Sequence, residues 1–213
     1  MAVNRSAPES FFYDNQDKRN KNFMYKNLRR SKCYNCNFSE SNFNFTSLRG
    51  AHFKKCLFIE CTFKGAEFIG SNLKGCKFKR AVFENTVFEG VNLDNVDFSE
   101  AEFKNVIFVD CDVAKAKNLD IRNEEIRIFG SMPKIEVSEE LRKAATDVMN
   151  NEFIKKSRLF DRKDGELNTL TLMILLEEFD EETLIKGLEY SKNTVDRDFH
   201  TLTYITRLIK SMD

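Results

Sequence analysis

The chain has 213 residues with 34 basic and 34 acidic side chains, so its formal net charge at pH 7 is zero. Hydrophobic residues make up 41% of the chain, which is enough to fill the core of one or two domains. No apolar run approaches the length of a membrane span, and the first residues lack the hydrophobic centre of a signal peptide. We therefore expect a cytoplasmic protein without membrane contact.

From residue 36 onward the sequence repeats every five residues. The central position of each unit is almost always Phe or Leu, and the residue two positions earlier is never larger than Val. This period fits neither a helix, with 3.6 residues per turn, nor a strand, with two. Four units would make one square coil, in which residue n lies against residue n+20. The predicted core ladder is Phe38, Phe43, Leu48, Phe53, Phe58, Phe63, Phe68, Leu73, Phe78, Phe83, Phe88, Leu93, Phe98, Phe103 and Phe108.

The fifth position of the unit has the residues that a corner requires. Glycine and asparagine adopt positive φ at low cost, and aspartate tolerates it. These residues predict a sharp bend between successive units. They are Gly50, Gly65, Gly70, Gly75, Asn85, Gly90, Asn95, Asn105 and Asp110.

This pattern resembles the pentapeptide-repeat family, whose fold is a right-handed quadrilateral parallel β-helix. The resemblance covers about residues 31–118 and implies a β-solenoid over residues 21–120, after an N-terminal tail or cap at residues 1–20. Lys21 and Lys26 occupy positions that favour a small residue, so a full coil over residues 21–35 is left open. At about 4.8 Å per coil, four to five coils would make a rod roughly 20–24 Å tall.

Beyond a capping segment and linker at residues 121–137, the spacing of apolar residues becomes helical. A first helix is predicted over residues 138–160 with Ser138 as its N-cap. A second is predicted over residues 166–179, where residues 170–176 are apolar nearly all round and indicate a buried position. Asp180 should cap a short third helix, and an amphipathic helix should span residues 194–212. The sequence thus predicts a small all-α bundle of about four helices at residues 138–213.

Residues that could carry out chemistry form no recognisable arrangement. His52 and His200 lack a nucleophile, base or metal partner in the pattern. Five of the six cysteines occupy the small position of the repeat, which is typical of reduced, buried thiols. We expect no enzyme activity, no catalytic or metal-binding residues and no cofactor.

The outward positions suggest two interaction surfaces. Residues 17–80 contain fifteen basic and four acidic side chains, whereas residues 81–113 contain one basic and eight acidic. The candidate charged surface comprises Lys54, Lys64, Lys74, Lys77, Lys79, Arg80, Glu84, Glu89, Asp94 and Asp97. A candidate apolar docking strip comprises Ile69, Val87, Ile107 and Val109, which we expect the helical region or a partner chain to cover.

We therefore predict a non-enzymatic protein–protein interaction or scaffold module whose partner is unidentified. A homodimer through the helical domain or the apolar strip is one arrangement that the sequence allows. The resemblance implies an alternative, a DNA-mimic modulator of type II topoisomerase (DNA gyrase) of the quinolone-resistance kind. Mimicry requires negative charge along the rod, and the basic first half counts against it. Nucleic-acid binding through the basic coils is a weaker alternative, because no aromatic platform is evident among them, so nucleic acid is not expected as a partner.

Overall fold

A computed structural model describes residues 10–162 and 165–212 of the chain. The chain divides after Ser131 into two compact units. The first is a parallel β-solenoid of about six turns, and the second is helical. The predicted fold class, a quadrilateral β-helix followed by helices, is confirmed.

Neighbouring coils pair in parallel with the expected offset of twenty residues, as in Thr62 opposite Val82 and Glu67 opposite Val87. Three sheets form, in the orders β1-β2-β3, β4-β6-β8 and β10-β9-β7-β5. The strands are β1 (Phe12–Asp14), β2 (Lys32–Tyr34), β3 (His52–Lys54), β4 (Thr62–Lys64), β5 (Glu67–Ile69), β6 (Val82–Glu84), β7 (Val87–Glu89), β8 (Glu102–Lys104), β9 (Val106–Val109) and β10 (Ile126–Phe129).

The solenoid has more coils than the four to five predicted, because it continues beyond the repeat at both ends. Strand β1 lies in the segment expected to be a tail or cap, yet it pairs with β2. The next sides of this first coil pair with the second coil through Asp17, Asn22 and Asn27. Lys21, at a position that favours a small residue, has an exposed side chain, and its backbone N–H donates to the Ser41 hydroxyl of the coil above. At the other end, β10 pairs with β9 inside the predicted linker.

Phenylalanine rings fill the interior of the solenoid. The rings of Phe58 and Phe78 are 4.9 Å apart and those of Phe78 and Phe98 are 5.5 Å apart, all nearly parallel. Every residue of the predicted ladder is buried except Phe103, which is half-buried. Each buried Phe contributes roughly 1.5–3 kcal/mol relative to exposure, so this column supplies most of the driving force for folding of the rod.

The corner residues adopt the left-handed conformation, including the asparagines and glycines at the fifth position. The same conformation extends to residue types that do not favour it, such as Glu60 and Arg80. A residue with a Cβ atom is strained in this region. The stacked core therefore imposes the bend at these corners even where the corner residue disfavours it.

The small position of the repeat also provides hydrogen-bond donors. The thiols of Cys61 and Cys76 donate to the carbonyl oxygens of Phe38 and Phe53, with S···O distances of 3.1 and 3.0 Å. The hydroxyl of Thr46 donates in the same way to the Phe23 carbonyl at 2.9 Å. These bonds join neighbouring coils and satisfy polar groups inside the rod.

The helical unit has more helices than the four predicted. They are α1 (Glu139–Asp147), α2 (Glu152–Ser157), α3 (Thr169–Leu176), α4 (Glu181–Thr194) and α5 (Leu202–Lys210), with a 3-10 turn at Val148–Asn150. Ser138 and Asp180 cap α1 and α4 as predicted, by accepting from the backbone N–H groups of Leu141 and Thr183. Gly187 lets α4 approach α5 closely, because a Cβ atom there would lie 2.7 Å from Ile209.

The predicted extents of the helices were wrong in several places. The helix after Asp180, expected to be short, is the 14-residue α4, and the helix expected over residues 166–179 is α3, which begins at Thr169 after the Asn168 cap. The helix expected over residues 138–160 breaks at Asn151, whose side-chain oxygen caps α2 while its amide donates to the carbonyls of Lys192 and Val195. The helix expected over residues 194–212 starts only at Leu202, because the chain leaves the helical conformation at Val195. The hydrogen bonds from the Asn151 amide thus connect the break in the first predicted helix to the C-terminal end of α4.

Candidate interaction surfaces

The candidate charged surface consists largely of ion pairs between neighbouring coils. Lys64 lies 2.9 Å from Glu84, and Lys74 lies 3.7 Å from Asp94. A second group joins Lys79 to Glu100 at 3.0 Å and Arg80 to both Glu60 and Glu100. The hydrogen bond from Lys79 lowers the pKa of the Glu100 carboxyl. Because these pairs are exposed, each adds little to stability.

The remaining members of this surface have different surroundings. The ammonium group of Lys54 lies 6.0 Å from the centre of the Tyr34 ring. Asp97 faces Lys77 across the coils; burial alone would raise its pKa, but hydrogen bonds from Ser99 and Asn118 lower it. Glu89 is half-buried on β7. The predicted residues thus lie on several sides of the rod and do not form one patch.

The four residues of the apolar strip lie on β5, β7 and β9 of one sheet, on its outward side. Ile69 and Val87 are half-buried. Ile107 and Val109 are buried, with 2% and 1% of their surface exposed. Half of the strip, Ile69 and Val87, is therefore open to a partner. Coverage of the strip by the helical region or by a partner chain stays a prediction.

The cysteine side chains are arranged for structure. All six have free thiols, and five of them are buried. Burial raises the pKa of Cys33 and of Cys61 to about 12 and that of Cys76 well above its usual value. These thiols stay protonated at neutral pH, which allows those of Cys61 and Cys76 to donate hydrogen bonds between coils. Over residues 10–162 and 165–212, no group of three or more His, Cys, Asp or Glu side chains is placed to hold a metal ion.

A groove between α1 and α4 is a feature that the sequence did not reveal. It encloses about 320 Å³. Its floor is apolar and its rim carries charges of both signs. The floor consists of Ala144, Val148, Ile185 and Leu188, and the rim of Glu140, Lys143, Asp147, Glu189 and Lys192. The helical periodicity of each segment was visible in the sequence, but the pairing of these two helices was not.

A second feature missed from the sequence is a pair of aromatic rings on the outer surface of the first two coils, one exposed and one half-buried. The side chain of Phe12 is 70% exposed, and its ring centre lies 6.5 Å from that of Tyr34 in an edge-to-face arrangement. Residue 12 lies twenty positions before Lys32, so the register places it in the same outward column. This offset could have been recognised in the sequence. The interpretation of residues 1–20 as a tail concealed it.

The helices within the described ranges are all too short or too polar to cross a membrane. The square coil, its stacked rings and its twenty-residue register define a β-solenoid built from five-residue repeats.

Comparison with known proteins identifies the repeat. Residues 61–128 match a family model described as a pentapeptide repeat region, and residues 36–75 match one described as eight copies of the pentapeptide repeat. Residues 36–128 thus carry pentapeptide repeats, and no family match covers the helical region. No curated protein shows a significant match.

Several solved structures are similar over the repeat. The pentapeptide-repeat protein Rfr23 from the cyanobacterium Cyanothece 51142 is 14% identical over 55% of this chain and 84% of its own, with a TM-score of 0.33. QnrB1, a plasmid-mediated fluoroquinolone resistance protein, is 15% identical over 60% of this chain and 96% of its own, with a TM-score of 0.31. HetL from Nostoc sp. strain PCC 7120 is 17% identical over 50% of this chain and 57% of its own, with a TM-score of 0.26.

Proposed function

We propose that the protein is a non-enzymatic protein–protein interaction or scaffold module, and that the groove between α1 and α4 receives an amphipathic helix of its partner. The groove is the observation that carries this proposal. An apolar floor with a charged rim is the arrangement in which helical partners bind, with apolar side chains one turn apart inserted into the floor. Ile185 is half-buried there, so part of its apolar surface is free for such a contact.

The charges on the rim support specificity. Lys143 and Lys192 would attract acidic residues on the polar flank of the incoming helix, whereas Glu140, Asp147 and Glu189 would attract basic ones. Charges around an apolar contact set orientation and discriminate against wrong partners more than they add affinity. A partner helix should therefore carry charges of both signs beside its apolar stripe.

The rod supports the proposal as a scaffold. Its interior is closed by side chains, so contacts with other molecules must use the outer columns. Ile69 and Val87 offer a modest apolar area on which a homodimer or a partner chain could sit. Unpaired strand edges are expected at the ends of a solenoid, and a strand of a partner could pair with them.

The groove is tested with a matched pair of variants. Ile185→Glu introduces a charge into the floor, whereas Asn193→Glu introduces the same charge at an exposed position on α4 outside the groove. Each full-length protein is immobilised, and the proteins that bind to it are identified by mass spectrometry and compared. We expect a set of proteins held by wild type and Asn193→Glu and lost by Ile185→Glu. A set unchanged by Ile185→Glu would contradict the proposal.

A gyrase supercoiling assay with and without a quinolone separates this function from the one that QnrB1 illustrates. We expect the protein to leave both supercoiling and drug inhibition unchanged, because the positive charge of its first coils opposes DNA mimicry. Protection of gyrase from the drug would favour the topoisomerase alternative instead.

A further inference from the structure

One outward face of the rod combines aromatic and basic side chains. Strands β1, β2 and β3 form a flat parallel sheet at the N-terminal end of the solenoid. In one row across this sheet Phe12 lies beside Lys32, and Lys32 beside His52. In the second row Tyr34 lies between Asp14 and Lys54. We call the residues Phe12, Lys32, Tyr34, His52 and Lys54 the aromatic–basic face.

The rings and charges of this face are accessible. Phe12 and Lys32 are exposed, and Tyr34 and Lys54 are half-buried. The two ring centres are 6.5 Å apart, and the Lys54 ammonium is 6.0 Å from the Tyr34 ring. The exposed Phe12 ring and the free side of the Tyr34 ring therefore offer flat apolar surface next to the two ammonium groups.

The charge on and around the face is positive. On the next coil Lys74 continues the second row, as its position twenty residues after Lys54 requires, and Lys55 is exposed at the adjoining corner. Two carboxylates bound the face. Asp14 lies at its N-terminal edge, and Asp94 pairs with Lys74 at 3.7 Å one coil further on. The positive charge is thus concentrated beside the two rings.

From this arrangement we propose that the aromatic–basic face binds single-stranded nucleic acid. One base would stack on the exposed Phe12 ring and a neighbouring base would contact Tyr34, while Lys32 and Lys54 would bind the phosphates between them. Aromatic rings beside a basic track on an exposed sheet are how sequence-tolerant single-strand binders work, because every base has a π-face. The face accommodates a short segment of about three to four nucleotides, given coils about 4.8 Å apart.

The rings favour this ligand over an acidic protein segment. An acidic peptide would satisfy the lysines but would leave the Phe12 ring without a partner of matching shape. A nucleotide chain supplies flat bases and phosphates in alternation, which matches alternating rings and ammonium groups. The sequence argument against a nucleic-acid partner was the lack of an aromatic platform, and that argument does not apply to this face.

The test is fluorescence anisotropy of the full chain with a fluorescein-labelled ten-residue oligothymidylate in 50 mM NaCl. Removing one stacked base contact should weaken binding, so Phe12→Ala should raise the Kd about 5- to 150-fold. Lys54→Glu should also weaken binding and should flatten the dependence of log K on log salt. The wild-type slope should be about −1.4, because Lys32 and Lys54 neutralise two phosphates.

Three controls keep the result specific. Lys104→Glu reverses an exposed charge on a different sheet and should change the Kd by less than about twofold. A ten-residue abasic oligonucleotide supplies phosphates without bases, and a ten-residue polyglutamate supplies an acidic peptide. Both should bind at least tenfold more weakly than the oligothymidylate. Sedimentation of wild type and Phe12→Ala reports whether a second copy of the chain occupies the face.

Several results would overturn the proposal. They are a Kd above 1 mM for the oligothymidylate, equal affinity for polyglutamate or the abasic strand, or an effect of Lys104→Glu as large as that of Lys54→Glu. Loss of a dimer in Phe12→Ala with unchanged oligonucleotide affinity would assign the face to self-association. None of these outcomes bears on the groove between α1 and α4, so the proposed function is tested separately.

Discussion

Replacing Phe78 by alanine is the perturbation that most directly tests the aromatic column. Phe78 is fully buried, and its ring contacts those of Phe58 at 4.9 Å and Phe98 at 5.5 Å along the column. Phe63 and Phe83 contact it from the sides at 5.6 and 5.5 Å. Neighbours held on every side by their own coils cannot collapse into the space, so Phe78→Ala should lower the free energy of unfolding by about 3–5 kcal/mol.

The matched control is Phe12→Ala, which removes the same atoms from a side chain that is 70% exposed and should change stability by less than about 0.5 kcal/mol. Native-state hydrogen exchange measures both, with the amide of Phe58 as reporter because it bonds to the Lys77 carbonyl of the next coil at 2.8 Å. If Phe78→Ala destabilised this amide no more than Phe12→Ala, the reasoning from a close-packed column would be refuted.

Three further predictions concern the corners, the thiols and the helix caps. Gly90 has φ +59° and open space around a Cβ atom, so Gly90→Val should cost about 1–2 kcal/mol in urea unfolding from backbone strain alone, and Gly90→Asn less than half as much. Burial raises the pKa of Cys61 to about 12, whereas the unfolded thiol ionises near 8.5. The unfolded state alone therefore loses this proton between about pH 9 and 12, so the free energy of unfolding should fall as pH rises, by up to about 1.4 kcal/mol per pH unit from this thiol. Cys61→Ala should flatten that slope, and an unchanged slope would contradict the assignment. Ser138→Ala removes the hydroxyl that accepts from the Leu141 N–H and should cost about 1 kcal/mol in thermal unfolding of the helices, whereas an unchanged Tm would show that the cap contributes nothing.

The sequence predicted the solenoid because its repeat is read directly from residue types. A Phe or Leu at every fifth position leaves the backbone one regular way to bury them, and the glycine and asparagine corners agree with it. The caps at Ser138 and Asp180 were predictable for a similar reason, since capping depends on residues within one turn.

Features that depend on distant residues were not predictable in this way. The break at Asn151 requires the carbonyls of Lys192 and Val195, which lie more than forty residues away in sequence. The groove depends on which helices pack against each other, and the periodicity within each helix does not predict this pairing. Phe12 is a different case, because its coil departs from the repeat but the offset of twenty residues from Lys32 would have predicted its position.

Ring-to-ring nuclear Overhauser effects among Phe58, Phe78 and Phe98 test the twenty-residue register most directly. They are measured in protein with labelled phenylalanine and assigned with Phe58→Leu and Phe78→Leu. The account predicts strong effects between Phe58 and Phe78 and between Phe78 and Phe98, whose ring centres lie 4.9 and 5.5 Å apart. It predicts none between Phe58 and Phe98, which are two coils apart. Absence of the first two effects, or a direct effect between Phe58 and Phe98, would contradict the stacked coil.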